Sequence, residues 1–237
     1  MAGGDIVELA VVGSTNDWMT TDALAGAADG RGGRADRQSG GRGRRGRAWT
    51  SEAGNLFATT LCRPQPGDGP AQQLSFVAAL ALDDALQYWV PAERLGLKWP
   101  NDVLLDGVKC CGILLEGIEG ATIIGFGVNL LHHPHDTERP ATSLTAAGVS
   151  PPTAAEFAAR LAERFSACRA AWRDGGFEPI RARWLDRAAG KGDMLAARLG
   201  SETLTGRFDD LGADGALQLR LDNGSLRAIH AGEVFGL

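Results

Sequence analysis

Cysteine is scarce in this chain and is not spaced for a covalent framework: Cys62, Cys110, Cys111 and Cys168 are all there is, with no C-x-x-C pair. Adjacent Cys110 and Cys111 are poorly placed to bridge one another, so the four read as free thiols in a reducing, cytoplasmic setting. The first residues, MAGGDIVELA, have neither a basic start nor a long apolar stretch, and no signal peptide is read there. Nowhere does an apolar run reach the roughly 20 residues that a membrane-spanning helix needs. Histidines 132, 133 and 135 cluster, but no Cys or second His group completes a metal site, and a solvated loop is the expectation. No Ser-His-Asp set suggests a nucleophile.

What is present is an uneven charge. Seven arginines (31, 34, 37, 42, 44, 45, 47) face one acid, Asp36, within 31–47, whereas the whole chain carries a net charge of −5. A basic island in an acidic body suits a compact anion better than a long polyanion, which needs basic residues spread over a face.

The apolar pattern predicts a strand at Ile6–Val12, then a helix capped at Ser14 or Thr15 and running to about Ala28. Residues 29–47 are Gly/Arg-rich without periodicity and read largely as loop. A strand at 55–61, a helix over 71–90 closed by Pro91, and strands at 95–99, 103–105, 108–116 and 121–130 follow, with Asp106-Gly107 as a two-residue hairpin turn. Thr153 and Glu156 form a capping box before a helix with Phe157, Leu161, Phe165, Cys168 and Trp172 on one face. A short helix at 178–188 comes next. From Gly190 the texture becomes four short strands (194–199, 204–208, 216–221, 226–229) between Gly-Ser, Asp-Gly and Asn-Gly turns, the signature of a small appended β-barrel. Two domains are expected, 1–188 and 189–237.

Three segments carry chemistry. In Gly41-Arg42-Gly43-Arg44-Arg45-Gly46-Arg47, glycines permit close backbone approach and arginines supply forked donors for phosphate or carboxylate. By composition alone the loop reads as a lid over an anion or as a basic segment touching RNA. Lys98-Trp99-Pro100-Asn101-Asp102 is either an ordinary strand-ending turn or a turn that presents Asp102 to an amine or metal. Strict alternation puts Lys109 on one strand face with Cys111 and Ile113, which makes it either an edge residue or an inward lysine in need of an anion.

Taken in order, Ser14-Thr15-Asn16, Gln38 before the GRGRRGR loop and Trp49, KWPND at 98–102, Lys109 with GILLE at 112–116, and GFGVN at 125–129 resemble the biotin–protein ligases. The tail around Gly232-Glu233-Val234 resembles that family's C-terminal domain, so the likeness spans the chain. It implies an α+β fold: a mixed sheet flanked by helices, as in class II synthetases, with a small SH3-like β-barrel. Only thirteen residues precede Ser14, too few for a helix-turn-helix, so a short form without DNA binding is expected.

By that resemblance, Ser14, Thr15 and Gln38 would hold the ureido ring of biotin, with Gly41, Arg42 and Gly112 enclosing the rest. Arg44, Arg47, Trp49, Asn101, Lys109 and Asn129 would border ATP. Lys109 and Arg44 are the catalytic expectations, with Asp102 orienting the incoming lysine. The implied reaction has the biotin carboxylate attack the α-phosphorus of ATP, with Mg²⁺, giving biotinyl-5'-AMP. A lysine of a biotin carboxyl carrier domain then displaces AMP. The resemblance leaves a homodimer open and implies no membrane partner.

Two departures stand out. Where relatives have an apolar strand before the glutamine, residues 32–37 read GGRADR, so a short or edge strand is expected. Where some relatives carry a tryptophan loop that closes on adenine, 132–140 has no aromatic beyond histidine, so no base contact is assigned. Lipoate ligases and octanoyl transferases, of related fold, and a nucleic-acid-binding module are the rivals.

Overall fold

The computed structural model describes residues 6–135, 137, 139–200 and 202–236. Seven strands form a mixed sheet in the order β1-β2-β3-β7-β6-β5-β4. Their ranges are β1 Ile6–Val12, β2 Gly32–Gln38, β3 Leu56–Cys62, β4 Leu95–Lys98, β5 Asp102–Leu105, β6 Val108–Ile118 and β7 Ala121–Val128. Only β1 and β2 run parallel. The Asp106-Gly107 turn joins β5 to β6 with both residues at positive φ (51° and 77°), as a tight two-residue hairpin requires.

Strand β2 corrects the loop and edge-strand expectations. It is seven residues long and lies inside the sheet, paired with β1 on one side and antiparallel β3 on the other. Backbone hydrogen bonds on both edges outweigh its polar composition. Ala35 is buried, and a Cβ at Gly33 would sit 2.3 Å from the Trp18 ring, so the glycine serves packing. Arg34 is carried at the surface by Glu8 and Asp36.

The back of the sheet is covered by α2 (Leu74–Leu86) and α3 (Ala154–Gly175), and α4 (Phe177–Asp186) packs on both helices. Helix α2 is apolar nearly all round and buried. It is shorter than the expected 71–90: a 3₁₀ turn precedes it and it ends before Pro91. The capping box of α3 is formed, with Thr153 and Glu156 bonding each other's backbone. On the front face, α1 (Thr15–Leu24) covers a small core of Met19, Ala23, Leu61, Ala121 and Ile123. It ends short of Ala28.

The C-terminal strands β8 (Met194–Leu199), β9 (Glu202–Leu211), β10 (Leu217–Arg220), β11 (Leu226–Ile229) and β12 (Glu233–Gly236) form one antiparallel sheet ordered β11-β10-β9-β8-β12. The last strand was not expected from sequence. Its pairing with β8, some forty residues earlier, is a nonlocal contact that turn signals cannot reveal. Leu195, Phe208 and Leu217 join the same apolar cluster as Trp184 and Phe76, so the two sheets share a continuous core.

Candidate functional site

Front-face residues of β7 change character at the N-terminal turn of α1. Ala121 and Ile123 lie in the core under the helix; next on the same face come Gly125 and Gly127. A Cβ at Gly125 would meet Asn16 Oδ1 at 2.5 Å, and one at Gly127 would meet the Trp49 ring at 2.5 Å. Gly112, the cross-strand partner of Gly127, also lies under Trp49: a Cβ there would meet the ring at 2.8 Å. This glycine floor leaves a cavity of about 260 Å³ between α1, the glycine–arginine loop, the 98–102 turn and the start of β12.

One end of the cavity is neutral and polar. Ser14 caps α1, accepting the Asn16 N–H at 3.3 Å. The Thr15 amide and hydroxyl both donate to Gln38 Oε1 (2.8 and 3.1 Å), and Gln38 Nε2 donates to Ser51. Ser14, Thr15 and Gln38 thus stand together at this end. Gly41 does not line the cavity. A Cβ there would strike Ser51, Gln38 and the Trp49 carbonyl, so this glycine lets the loop pass behind the pocket wall.

The glycine–arginine segment is an ordered small hairpin rather than a formless loop. Arg42 bridges to Ala48, the Gly43 amide donates to the Arg47 carbonyl, and a 3₁₀ turn at Arg44–Gly46 makes the tip. Arg42 is clamped by two acids. Its fork meets both Asp17 oxygens at 2.7 Å, and it reaches Glu116 Oε1 at 3.0 Å. The hydrogen bonds that Arg42 donates to Asp17 come first in raising its pKa further, and Arg42 in turn holds the Asp17 carboxyl below its ordinary value. Glu116 also accepts from Asn16 at 2.7 Å.

The other end of the cavity is cationic. Lys109 Nζ lies 2.7 Å from Asp102 Oδ1 and 5.5 Å from the Trp49 ring centroid. Its direction corrects the alternation expected from sequence. A bulge shifts the register so that Leu104 faces Lys109 while Val103 faces Cys111, leaving Cys110 extra. Parity therefore flips: both cysteines point into the core, and Lys109 joins Gly112 on the cavity face. Burial, then the neighbouring Cys110, raises the Cys111 thiol well above its usual range, so it stays protonated.

Arg44 donates to Asn101 Oδ1 (3.3 Å) and to the Gly232 carbonyl (3.4 Å); burial lowers its pKa. Arg47 pairs with Glu233 at 2.6 Å. Asn101 is fixed by donating to the Ile113 carbonyl. Asn129 lines the cavity while its Nδ2 donates to the Thr142 carbonyl, so it also holds the segment after β7. The residues missed from sequence are the anchoring acids Asp17, Glu116 and Glu233, together with Asn16 and Arg139. Three of these sit in quoted motifs, but nothing local says that an exposed-looking acid will face an arginine from a distant loop. Among the described residues, no three His, Cys, Asp or Glu side chains gather as a metal site.

The profile of the biotin/lipoate A/B protein ligase family matches residues 9–130, and that of the biotin protein ligase C-terminal domain matches residues 196–236. The chain is 43% identical over 219 residues to a biotin–[acetyl-CoA-carboxylase] ligase of Paracoccus denitrificans, covering 85% of this chain and 88% of that protein. It is 33% identical over 236 residues to the enzyme of the same name from Mycobacterium tuberculosis, covering 97% and 88%. Its fold is similar to a biotin protein ligase from Aquifex aeolicus in complex with biotin and ATP, with TM-score 0.84, 26% identity and coverage of 98% and 97%.

Proposed function

The chain belongs to the biotin/lipoate A/B protein ligase family, and we propose that it activates biotin with ATP and passes it to a lysine of a biotin carboxyl carrier domain. The observation that carries this is the polarity of the cavity. A neutral donor–acceptor group (Thr15, Gln38) stands at one end, a glycine floor in the middle, and Lys109, Arg44 and Arg47 at the other. A ureido ring needs both donors and acceptors, the apolar body needs a flat floor, and a carboxylate meeting a triphosphate needs cations.

In the first step a biotin carboxylate oxygen bonds to the α-phosphorus while the bond to the bridging oxygen breaks, releasing pyrophosphate. The carboxylate is itself the nucleophile, so the protein supplies position and charge neutralisation. Lys109 stands for the α-phosphate, with Arg44 and Arg47 for the remaining phosphates and Trp49, Asn101 and Asn129 along the nucleotide. Ser14, Thr15, Gln38 and Gly112 contact biotin. Arg42 is held by Asp17 and Glu116, so we assign it to fixing the loop, with Gly41 behind it. In the second step the carrier lysine's amine attacks the acyl carbon and AMP leaves with the electron pair. Asp102, already paired with Lys109, is our choice for orienting that amine. Mg²⁺ is treated as the companion of ATP. Asp102 and the Asn101 amide are cavity oxygens of the kind that ion takes, and it would neutralise phosphate charge there.

We divide the chain at about residue 189, and we place the enzyme in the cytoplasm, with no DNA partner. Four buried, unpaired thiols support that compartment, and no helix among the described residues is long and apolar enough to cross a membrane. The deciding experiment incubates the protein with ATP, Mg²⁺, biotin and a carrier domain and weighs the carrier, which should gain one biotinyl group. Pyrophosphate exchange that responds to lipoate or octanoate and not to biotin would overturn the reading.

A further inference from the structure

The cavity runs along β7, from Gly125 at its neutral end to Asn129 at its cationic end, about 13 Å at the usual rise of a strand. In the other direction the same face continues as Ile123 and Ala121, which pack with Leu61, Met19 and Ala23 in the small core under α1. Asn16 lies across the boundary between the two. Its Oδ1 accepts from Thr59 Oγ1 on β3 at 3.1 Å, and its Nδ2 donates to Glu116 Oε2 on β6 at 2.7 Å. Between them, on β7, a Cβ at Gly125 would meet Oδ1 at 2.5 Å. Thr59 is the cross-strand partner of Gly125 and Glu116 that of Ile123, so the amide spans from the last glycine row to the first core row.

Asn16 is 2% exposed and Thr59 fully buried, while Glu116 is held from its other side by Arg42. A carboxamide gripped at both ends does not swing aside to lengthen the cavity. Packing alone would favour an apolar side chain at this position, next to Met19, Leu61 and Ile123. A buried amide is tolerated only where its groups are paired, and here a buried threonine, an acid and a glycine are all given over to seating one. The cavity side explains that expense. Without a polar crosspiece the site would open onto apolar core, and an alkyl tail could follow. We propose that Asn16 is a specificity-determining residue: its clamped carboxamide is a fixed stop that sets the length of acid the cavity accepts and keeps longer alkyl tails out of the core behind it. This rests on the reading of the cavity as the acid-binding site and adds the limit on that acid.

The probes are straight-chain carboxylic acids from hexanoate to dodecanoate, titrated into the full chain by calorimetry without ATP, with a melting temperature taken for each variant. In wild type each added methylene should tighten binding about fourfold until the chain reaches Asn16, after which further carbons add nothing. Asn16→Ala removes the stop, so the gain should continue for about two more carbons, about tenfold in all. Asn16→Leu restores the branched outline, and its limit should match wild type. Asn16→Ser is a milder form of the alanine test and should also extend the series. A limit that stays put in Asn16→Ala, or one that Asn16→Leu also abolishes, overturns the proposal. So does a wild-type series that never levels off, or the absence of binding by any of the acids. Uniform weakening at every length, or loss of folding in both Asn16→Ala and Asn16→Ser, would make Asn16 a structural residue and overturn it too. Because these titrations use neither ATP nor biotin, a wild type that fails to exchange pyrophosphate in response to biotin would remove the ligase reading alone.

Discussion

The two faces of the seven-stranded sheet are built on opposite rules. Behind it, Leu, Phe, Ala and Trp from α2, α3 and α4 fill the space until residues such as Leu80, Phe157 and Phe165 have almost no exposure. In front, at and beyond the N-terminal turn of α1, side-chain volume is withdrawn: Gly112, Gly125 and Gly127 make a floor, and the rim is stocked with charge. Lys109, Arg42 and Arg47 are held by acids from other elements, Asp102, Asp17 and Glu233, and Arg44 by Asn101 and the Gly232 carbonyl. One face spends its residues on stability. The other gives up packing so that a ligand can supply it, and uses ion pairs to keep long cationic side chains aimed before that ligand arrives.

Substitutions should separate the faces. The largest effect is expected for Lys109→Ala, which should slow adenylate formation about 100-fold or more while leaving biotin affinity and melting temperature near wild type. Single-turnover measurement of each half-reaction checks this, and equal slowing of both would contradict a place at the α-phosphate. Next comes Gly127→Val: Trp49 must move off the floor, and biotin-dependent pyrophosphate exchange should fall about 100-fold. If exchange survives with Trp49 displaced, the floor is not a ligand surface.

On the back face the balance reverses. Leu80→Ala should cost about 3 kcal/mol in denaturant unfolding, yet leave activity per folded molecule intact. The smallest effect concerns Asp17, whose carboxyl Arg42 holds below its ordinary value. A lowered folded pKa gives stability that is present above the unfolded value and is lost as pH falls through the folded one. Asp17→Asn should therefore be less stable than wild type by about 0.3 kcal/mol at neutral pH, a figure kept small by the exposure of the pair. The gap should close only below the ordinary aspartate range of about 4. A gap that widens on acidification would rule out the ion pair as its source.

Where elements announce themselves by local chemistry, sequence reading and structure agree: the Asp106-Gly107 hairpin and the Thr153–Glu156 helix cap are both present. Where a strand is made by its neighbours, reading failed. Gly32–Gln38 has no apolar period, yet it is held by β1 and β3 from either side. Glu233–Gly236 forms only because β8 lies open to it.

Residue type and spacing by themselves determined the Asp106-Gly107 hairpin, the Thr153–Glu156 cap and the basic island, and motif order carried the resemblance that implied the class of fold. Those properties belong to residue types and to short-range backbone preference. Tertiary structure alone decided that a bulge at Cys110 turns Lys109 into the cavity, that Gly41 stands behind the wall, and that Asp17, Glu116 and Glu233 pin the arginine loops. Pairing register and contacts between distant segments carry no local signature, because each depends on where a partner far along the chain comes to rest.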